Sequence, residues 1–322
     1  IVLGSVGDTI YTIKYYHWNN SSSVANASDD YYAIVEMSVP EDPNAPEPID
    51  PRRQVKFRHE NGEYITLTAA ENDIFFPVIP AGADNTISEI NTTGDLVYYA
   101  GTYTGYAEVT DIVREYGLGN YYVADIVSDL AASQTPLGRY GAWTMVVIYE
   151  NNDMKWRDIT VFDGYSYTGQ YINETVVPVS GFKTVQVGKV GVKLGMAVID
   201  GDRSSSNDKA YIEVLNTGEF YQLTNPFGNL YNDNGTDNMF QGVIVNPEGG
   251  ARNPNQINNY GIDIIVMDVP NENNSVMANE QTQTSFKYTS TNDNYFPFLY
   301  VMGVDAYVPD AQAIDAVWEN SA

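Results

Sequence analysis

The sequence predicts an all-β protein, built as two antiparallel, jelly-roll-like β-sandwich domains with one or two short helices. Three observations carry this expectation. Short runs rich in β-branched and aromatic residues recur along the whole chain, Gly, Asn and Pro punctuate them, and no apolar stretch reaches the roughly 18 residues of a membrane span. At 322 residues and 43% hydrophobic content, the chain is long enough for two cores and apolar enough to pack them.

The first run, Thr9 to Tyr16, ends at the Asn- and Ser-rich stretch 19–30, and Tyr31 to Val39 follows as a second. The next segment, EDPNAPEPIDP, holds Pro43, Pro46, Pro48 and Pro51, which lack the N–H a ladder needs, so it reads as an exposed loop. Asn61-Gly62 tolerates positive φ between Gln54 to Arg58 and Tyr64 to Thr68, which reads as a hairpin. Val109, Ile112, Val113 and Tyr116 share one helical face ahead of Gly117, predicting a short helix over Thr110 to Tyr116 capped by Thr110 or Asp111.

In the block Gly141 to Tyr165, alternate positions from Trp143 to Tyr149 are apolar on both faces, the pattern of a central strand covered on both sides. Asp158 to Phe162 is its expected antiparallel neighbour. Later strands are expected at about 182–200, 209–224, 238–246, 260–269, 282–289 and 295–308. The domain boundary is placed near Gly169 to Val179, giving domains 1–170 and 171–322, with an insertion in one sandwich as the other reading. Pro309 and Asp310, followed by Ile314, Val317 and Trp318, predict a short capped helix near the end.

The order RRQVKFRHENGEYITLTA, YTGYAEVTDIV, GNYYVADI, then YGAWTMVVIYEN with RDITVFDGY resembles an uncharacterised family of prokaryotic secreted surface domains found in adhesin-like or envelope proteins. The later segments MFQGVIV, ARNPNQINNYGIDIIVMDV and NDNYFPFLYVMGVDAYVP look like the second half of the same module. The resemblance covers roughly residues 50 to 310. It implies a cell-surface location, a β-rich fold and no established activity.

Composition narrows the partners. A net charge of -26 spread along the chain repels phosphate backbones and anionic lipid, so no nucleic acid is expected, while cations and sugars suit such a surface. With no Cys, disulfides, thiolate zinc sites and thiol nucleophiles are excluded. Ile1 in place of an initiator Met predicts a removed leader and a secreted protein. Asn19, Asn20, Asn26, Asn91, Asn173, Asn234 and Asn273 stand in glycosylation triplets, which makes a glycoprotein the expectation where the source glycosylates.

Few constellations carry chemistry. Asp200, Asp202, Ser204 and Asp208 gather hard oxygen donors in one turn, as Ca²⁺ requires, although the closing Glu of an EF-hand is missing and an acidic turn is the plainer reading. Asn232-Asp233-Asn234 with Asp237, and Asn292-Asp293-Asn294, read as turns. His17 and His59 are the only histidines and read as exposed structural residues. No elbow, phosphate loop or zinc signature is present, so no enzyme is expected, and a glycosidase pair such as Glu150 with Asp163 reads better as a solvated rim. Tyr98, Tyr99, Tyr103 and Tyr106 crowd one Gly-broken segment where sugars can stack or cross-strand pairs form. Ile1, Val2 and Leu3 form an apolar tip that pairs either with its own domain or, as a donor strand, with a neighbouring subunit.

The expected function is therefore a structural subunit of an extracellular filament, sheath or surface layer, a homopolymer joined by β-strand contacts. A calcium-assisted adhesin or carbohydrate-binding module is the alternative, and a polysaccharide-acting enzyme the third reading.

Overall fold

The computed structural model describes residues 2–6, 9–17, 31–38, 49–77, 86–90, 96–100, 102–127, 141–228, 237–245, 256, 258–259 and 261–306. Within 2–38, 86–90 and 96–100 the backbone alone is described. The chain divides into the units Ile1–Ile49 and Asp50–Ala322. The expected loop at 41–48 and the helix expected around Ile314 to Trp318 lie outside the described residues.

In the first unit, β1 (Val2–Val6), β2 (Thr9–His17) and β3 (Tyr31–Ser38) form an antiparallel sheet in that order. Val2 and Leu3 therefore belong to a strand that pairs with β2 of its own chain, Val2 opposite Thr12, and Ile1 lies outside the described residues.

The second unit opens with β4 (Gln54–His59) and β5 (Ile65–Thr68), followed by β6 (Ile74–Phe75), β7 (Thr86–Ile90), β8 (Leu96–Ala100) and β9 (Thr104–Gly105). The expected hairpin forms, with Phe57 opposite Ile65 as its innermost pair. Its loop, Arg58 to Tyr64, is longer than the tight turn expected. The turn at Asn61-Gly62 closes onto His59, whose carbonyl accepts the Gly62 N–H at 3.0 Å. The far edge of β4 carries β10 (Tyr121–Ala124), with Tyr121 opposite His59.

Helix α1 spans Thr110–Tyr116, as its apolar spacing predicts, and Gly117 ends it at φ 69° with its N–H on Val113 O. The capping residue differs from expectation. Val109 takes the N-cap position, and Glu108 supplies the carboxylate that accepts the Thr110 N–H at 2.9 Å and the Thr110 hydroxyl.

The rest is a sandwich. Its larger sheet runs β11 (Arg157–Asp163), β19 (Phe296–Asp305), β13 (Val192–Ile199), β17 (Ile262–Asp268) and β16 (Ile244–Val245). Its smaller sheet runs β12 (Glu174–Ser180), β18 (Gln283–Thr289), β14 (Lys209–Val214) and β15 (Glu219–Gln222). All pairings are antiparallel except β16 with β17. Inward rows follow from period-2 alternation. Leu194, Met196, Val198, Ile265, Met302 and Val304 from one sheet enclose a core with Ala210, Ile212, Phe286 and Tyr288 from the other. Each large aliphatic or aromatic side chain sealed there contributes about 1.5–3 kcal/mol relative to exposure.

Two differences from the sequence expectation matter. The Gly141 block is not a central strand: residues 141–150 join no ladder, and Trp143, Val146, Val147, Ile148 and Tyr149 are exposed, Tyr149 at 69%. Apolar alternation on both faces shows that a segment can be covered, not that anything covers it, and the neighbour of β11 is β19. Second, the stretch expected to hold a domain boundary contains strand β12. Pro178 fits there because β12 is an edge strand of its sheet. β11, from the earlier side of that boundary, lies in one sheet with β13, β17 and β19 from the later side.

One end of the sandwich is laced by neutral amides. Asn271 donates to Val190 O and Met277 O and accepts the N–H groups of Val276 and Met277, all at 2.8 to 3.0 Å. Asn279 donates to Val185 O and Gly188 O, and Thr184 donates to Ala278 O.

Candidate metal centre

The opposite end is finished by carboxylates. β13 passes to β14 through Asp200 to Asp208, β18 passes to β19 through Ser290 to Tyr295, and both connections cross between the two sheets. Asp200 turns the chain at φ 70° after β13. Gly201 follows because nothing larger fits: a Cβ there would lie 2.1 Å from Asp263 Oδ2 and 2.8 Å from Phe240 Cβ. Asp202 comes back out to the surface, and its N–H donates to Asp293 Oδ2 at 3.2 Å. Asp293 is itself buried, held by the Ser290 hydroxyl, which accepts its N–H at 3.0 Å and donates to its carbonyl at 2.7 Å.

Asp208 is fully buried at the start of β14. Its Oδ2 accepts the Phe240 N–H at 2.8 Å, and its Oδ1 has no hydrogen-bond partner. Asn238, 2% exposed, donates to the carbonyls of Asp202 and Arg203 at 3.2 Å, while its own Oδ1 has no partner. Asp263, on the inward face of β17, is saturated differently, since its two oxygens accept the N–H groups of Gln241, Gly242 and Val243 at 2.9 to 3.0 Å.

Burial and mutual repulsion raise these acids far above the ordinary carboxylate range. Asp200 reaches about 8, through burial and then the charges of Asp293 and Asp202. Asp293 reaches about 7, through burial and Asp202. Asp263 also reaches about 7, because burial outweighs its three amide donors. Asp208 is raised by burial and by Asp293 and Asp263.

Of the donors expected from sequence, Asp200, Asp202 and Asp208 thus gather at one end with Asp293, and Ser204 stays exposed outside the buried group. Asp293 sits in one of the Asn- and Asp-rich patches read as a turn; it is in a turn and buried. Asp263 and Asn238 went unrecognised, the first as one acid in a strand and the second as one amide among many. Among the described residues, no three carboxylate or imidazole groups surround a single point as their side chains lie.

The other candidates disperse. Asn173 and Asn273 are exposed, while Asn19, Asn20, Asn26, Asn91 and Asn234 lie outside the described residues, as do Asn232 and Asp233; Asp237 of that patch is half-buried and pairs with Lys209. His59 is buried, not exposed, stacked on Tyr116 and meeting Tyr121 edge-on. The side chains of His17, Tyr98 and Tyr99 lie outside the described residues. Tyr103 donates its hydroxyl to Val127 O and Tyr106 to Glu108. Glu150 and Asp163 are both exposed.

No family model and no curated protein matches the chain. Among solved structures, dimeric latent PorU from Porphyromonas gingivalis aligns at 12% identity and a TM-score of 0.26 over 79% of this chain, which spans 22% of the PorU chain. The infectious bursal disease virus VP2 subviral particle aligns at 8% identity and a TM-score of 0.26, covering 78% of this chain and 70% of that one. The Gx strain of the same virus gives 8%, 0.25, 95% and 71%. Scores this low establish no shared function. No helix among the described residues is long and apolar enough to cross a membrane.

Proposed function

We propose that the chain is a structural subunit of an extracellular filament, sheath or surface layer whose copies join through β-strand contacts. The observation that carries this reading is the pairing of an open edge with an unused strand sequence. Among the described residues, β11 ends the larger sheet with Ile159 exposed at 39%, and the preceding Gly141 block exposes Trp143, Val146, Val147, Ile148 and Tyr149 outside any ladder. Strand-forming residues without a ladder and a ladder without a neighbour are the two halves of a β-augmentation contact. Because one chain holds both halves, a second copy is the partner, and a head-to-tail contact of this kind propagates.

The charge of -26 opposes association, so screening by salt strengthens it. Electron microscopy and light scattering of the native material at low and high salt test the reading. Periodic fibres or sheets that disperse in the variant Val147→Lys, Tyr149→Lys support it, and monodisperse single copies at every salt concentration overturn it.

A calcium-assisted adhesin is the second reading, favoured by the exposed rings of Trp143, Tyr149 and Trp156, which offer apolar faces to a sugar. A glycan array read with and without chelator separates the two.

A further inference from the structure

The two ends of the sandwich are finished differently, although the amide end also holds one buried hydroxyl without a partner, Thr284 Oγ1. At the amide end, both the donors and the acceptor of Asn271 are used. At the carboxylate end, two buried oxygens, Asp208 Oδ1 and Asn238 Oδ1, have no partner. A buried acceptor left unmade costs about 1–3 kcal/mol, and more when it carries charge. The acids here also repel one another. The charges of Asp293 and Asp202 raise Asp200, and those of Asp293 and Asp263 raise Asp208. Lys209 reaches Asp208 from β14, but its ammonium is paired with Asp237 at 3.0 Å.

We propose that this end binds one Ca²⁺ ion, held by the carboxylates of Asp200, Asp202, Asp208 and Asp293 and by the free Oδ1 of Asn238. Asp293 joins the two connections, since its Oδ2 accepts the Asp202 N–H at 3.2 Å, and its charge is felt at Asp200 and Asp208. Asn238 is tethered to the same place through the Asp202 carbonyl. Asp263 is left outside the shell because its oxygens hold three amides; Asp293 holds two, from Asp202 and Asn294, and would add the ion to them.

The donors are all hard oxygens, with no imidazole or thiolate among them, which suits Ca²⁺ and disfavours zinc or copper. Several carboxylates on two connecting segments also suit the six to eight flexible ligands of Ca²⁺ better than the strict octahedron of Mg²⁺. Binding the dication would displace the protons that these acids otherwise keep and replace their mutual repulsion with attraction to the ion. Since the donors come from three connections that cross between the sheets, β13 to β14, β15 to β16 and β18 to β19, one ion fastens the two sheets together.

The test uses the full chain, stripped with chelator and titrated with CaCl₂ or MgCl₂ by calorimetry and thermal melting. Saturable binding of one Ca²⁺ with a raised Tm, at least tenfold tighter than Mg²⁺, is expected. Terbium bound in place of calcium should luminesce through buried Tyr295, which is coupled by charge to Asp208 and Asp293. Asp208→Asn removes a buried charge while keeping an acceptor for the Phe240 N–H, so it should raise the Tm of stripped protein yet abolish the calcium increment. Asp202→Ala, at an exposed position, should leave the fold intact and weaken Ca²⁺ at least tenfold, while Asp153→Ala changes nothing. Absence of a saturable calcium response, or unchanged affinity in Asp202→Ala, overturns the proposal. Should Asp208→Asn fail to fold, Asp202→Ala decides.

Discussion

Val198 of β13 lies directly opposite Asp263 of β17, so a carboxylate occupies an inward row that elsewhere holds Leu194, Met196, Ile265 and Met267. Alternation chose that position for an apolar side chain. Asp263 holds it because three backbone N–H groups at residues 241–243 need acceptors there.

The acids at this end make the metal-free protein less stable as pH rises. Their folded values of about 7 for Asp263 and Asp293 and about 8 for Asp200 exceed the roughly 3.9 of an unfolded Asp. Between about pH 4 and 8 the folded state therefore keeps protons that the unfolded state has released, so stability falls with rising pH. Each such proton sets a slope of about 1.4 kcal/mol per pH unit. Urea unfolding of chelated protein should show greater stability at pH 5 than at pH 8; a flat or rising profile contradicts this.

Two neighbouring glycines should respond unequally to alanine. At Gly119, with φ 154°, a Cβ would lie 2.1 Å from Nε2 of the buried His59, so Gly119→Ala should cost about 2–4 kcal/mol. At Gly117, with φ 69°, a Cβ meets nothing within 4 Å, so only the backbone cost of about 1 kcal/mol remains. Paired denaturation curves check the difference, and equal losses would show that contact with His59 is not the cause.

Asn271→Ala should destabilise by about 3 kcal/mol or more, since it strands two carbonyls and two N–H groups at once. Its effect should be independent of pH and calcium, unlike that of Asp208→Asn. A calcium-dependent loss in Asn271→Ala would refute the independence of the two ends.

Phe286→Ala should cost about 3–5 kcal/mol, because Phe286 is fully buried and stacks on Tyr300 across the core at 5.1 Å. The urea midpoint should drop without a change in slope.

Much of the strand pattern was legible because burial on one face leaves a period of two, as in Val192 to Val198 and Thr284 to Tyr288. α1 was legible because its apolar face and Gly117 agreed. The Gly141 block misled for the same reason that it attracted notice: composition reports what a segment can bury, and coverage depends on partners that no local pattern names. β12 was hidden by Pro178, which an edge position tolerates. At the candidate centre, Asp200, Asp202 and Asp208 were visible through their spacing. Asp293, Asp263 and Asn238 join them only through tertiary pairing, so no window of sequence contains the set.

The unequal finish of the two ends gives the sandwich a direction under load. The hydrogen bonds of Asn271 join neutral groups that do not titrate, whereas the crossovers at Asp200 to Asp208 and Ser290 to Tyr295 carry acids that gain or lose protons near neutral pH. Under load, unfolding is therefore expected to begin at the crossovers and to reach Asn271 later. The force that starts it should shift with the pH and calcium content of the surrounding water.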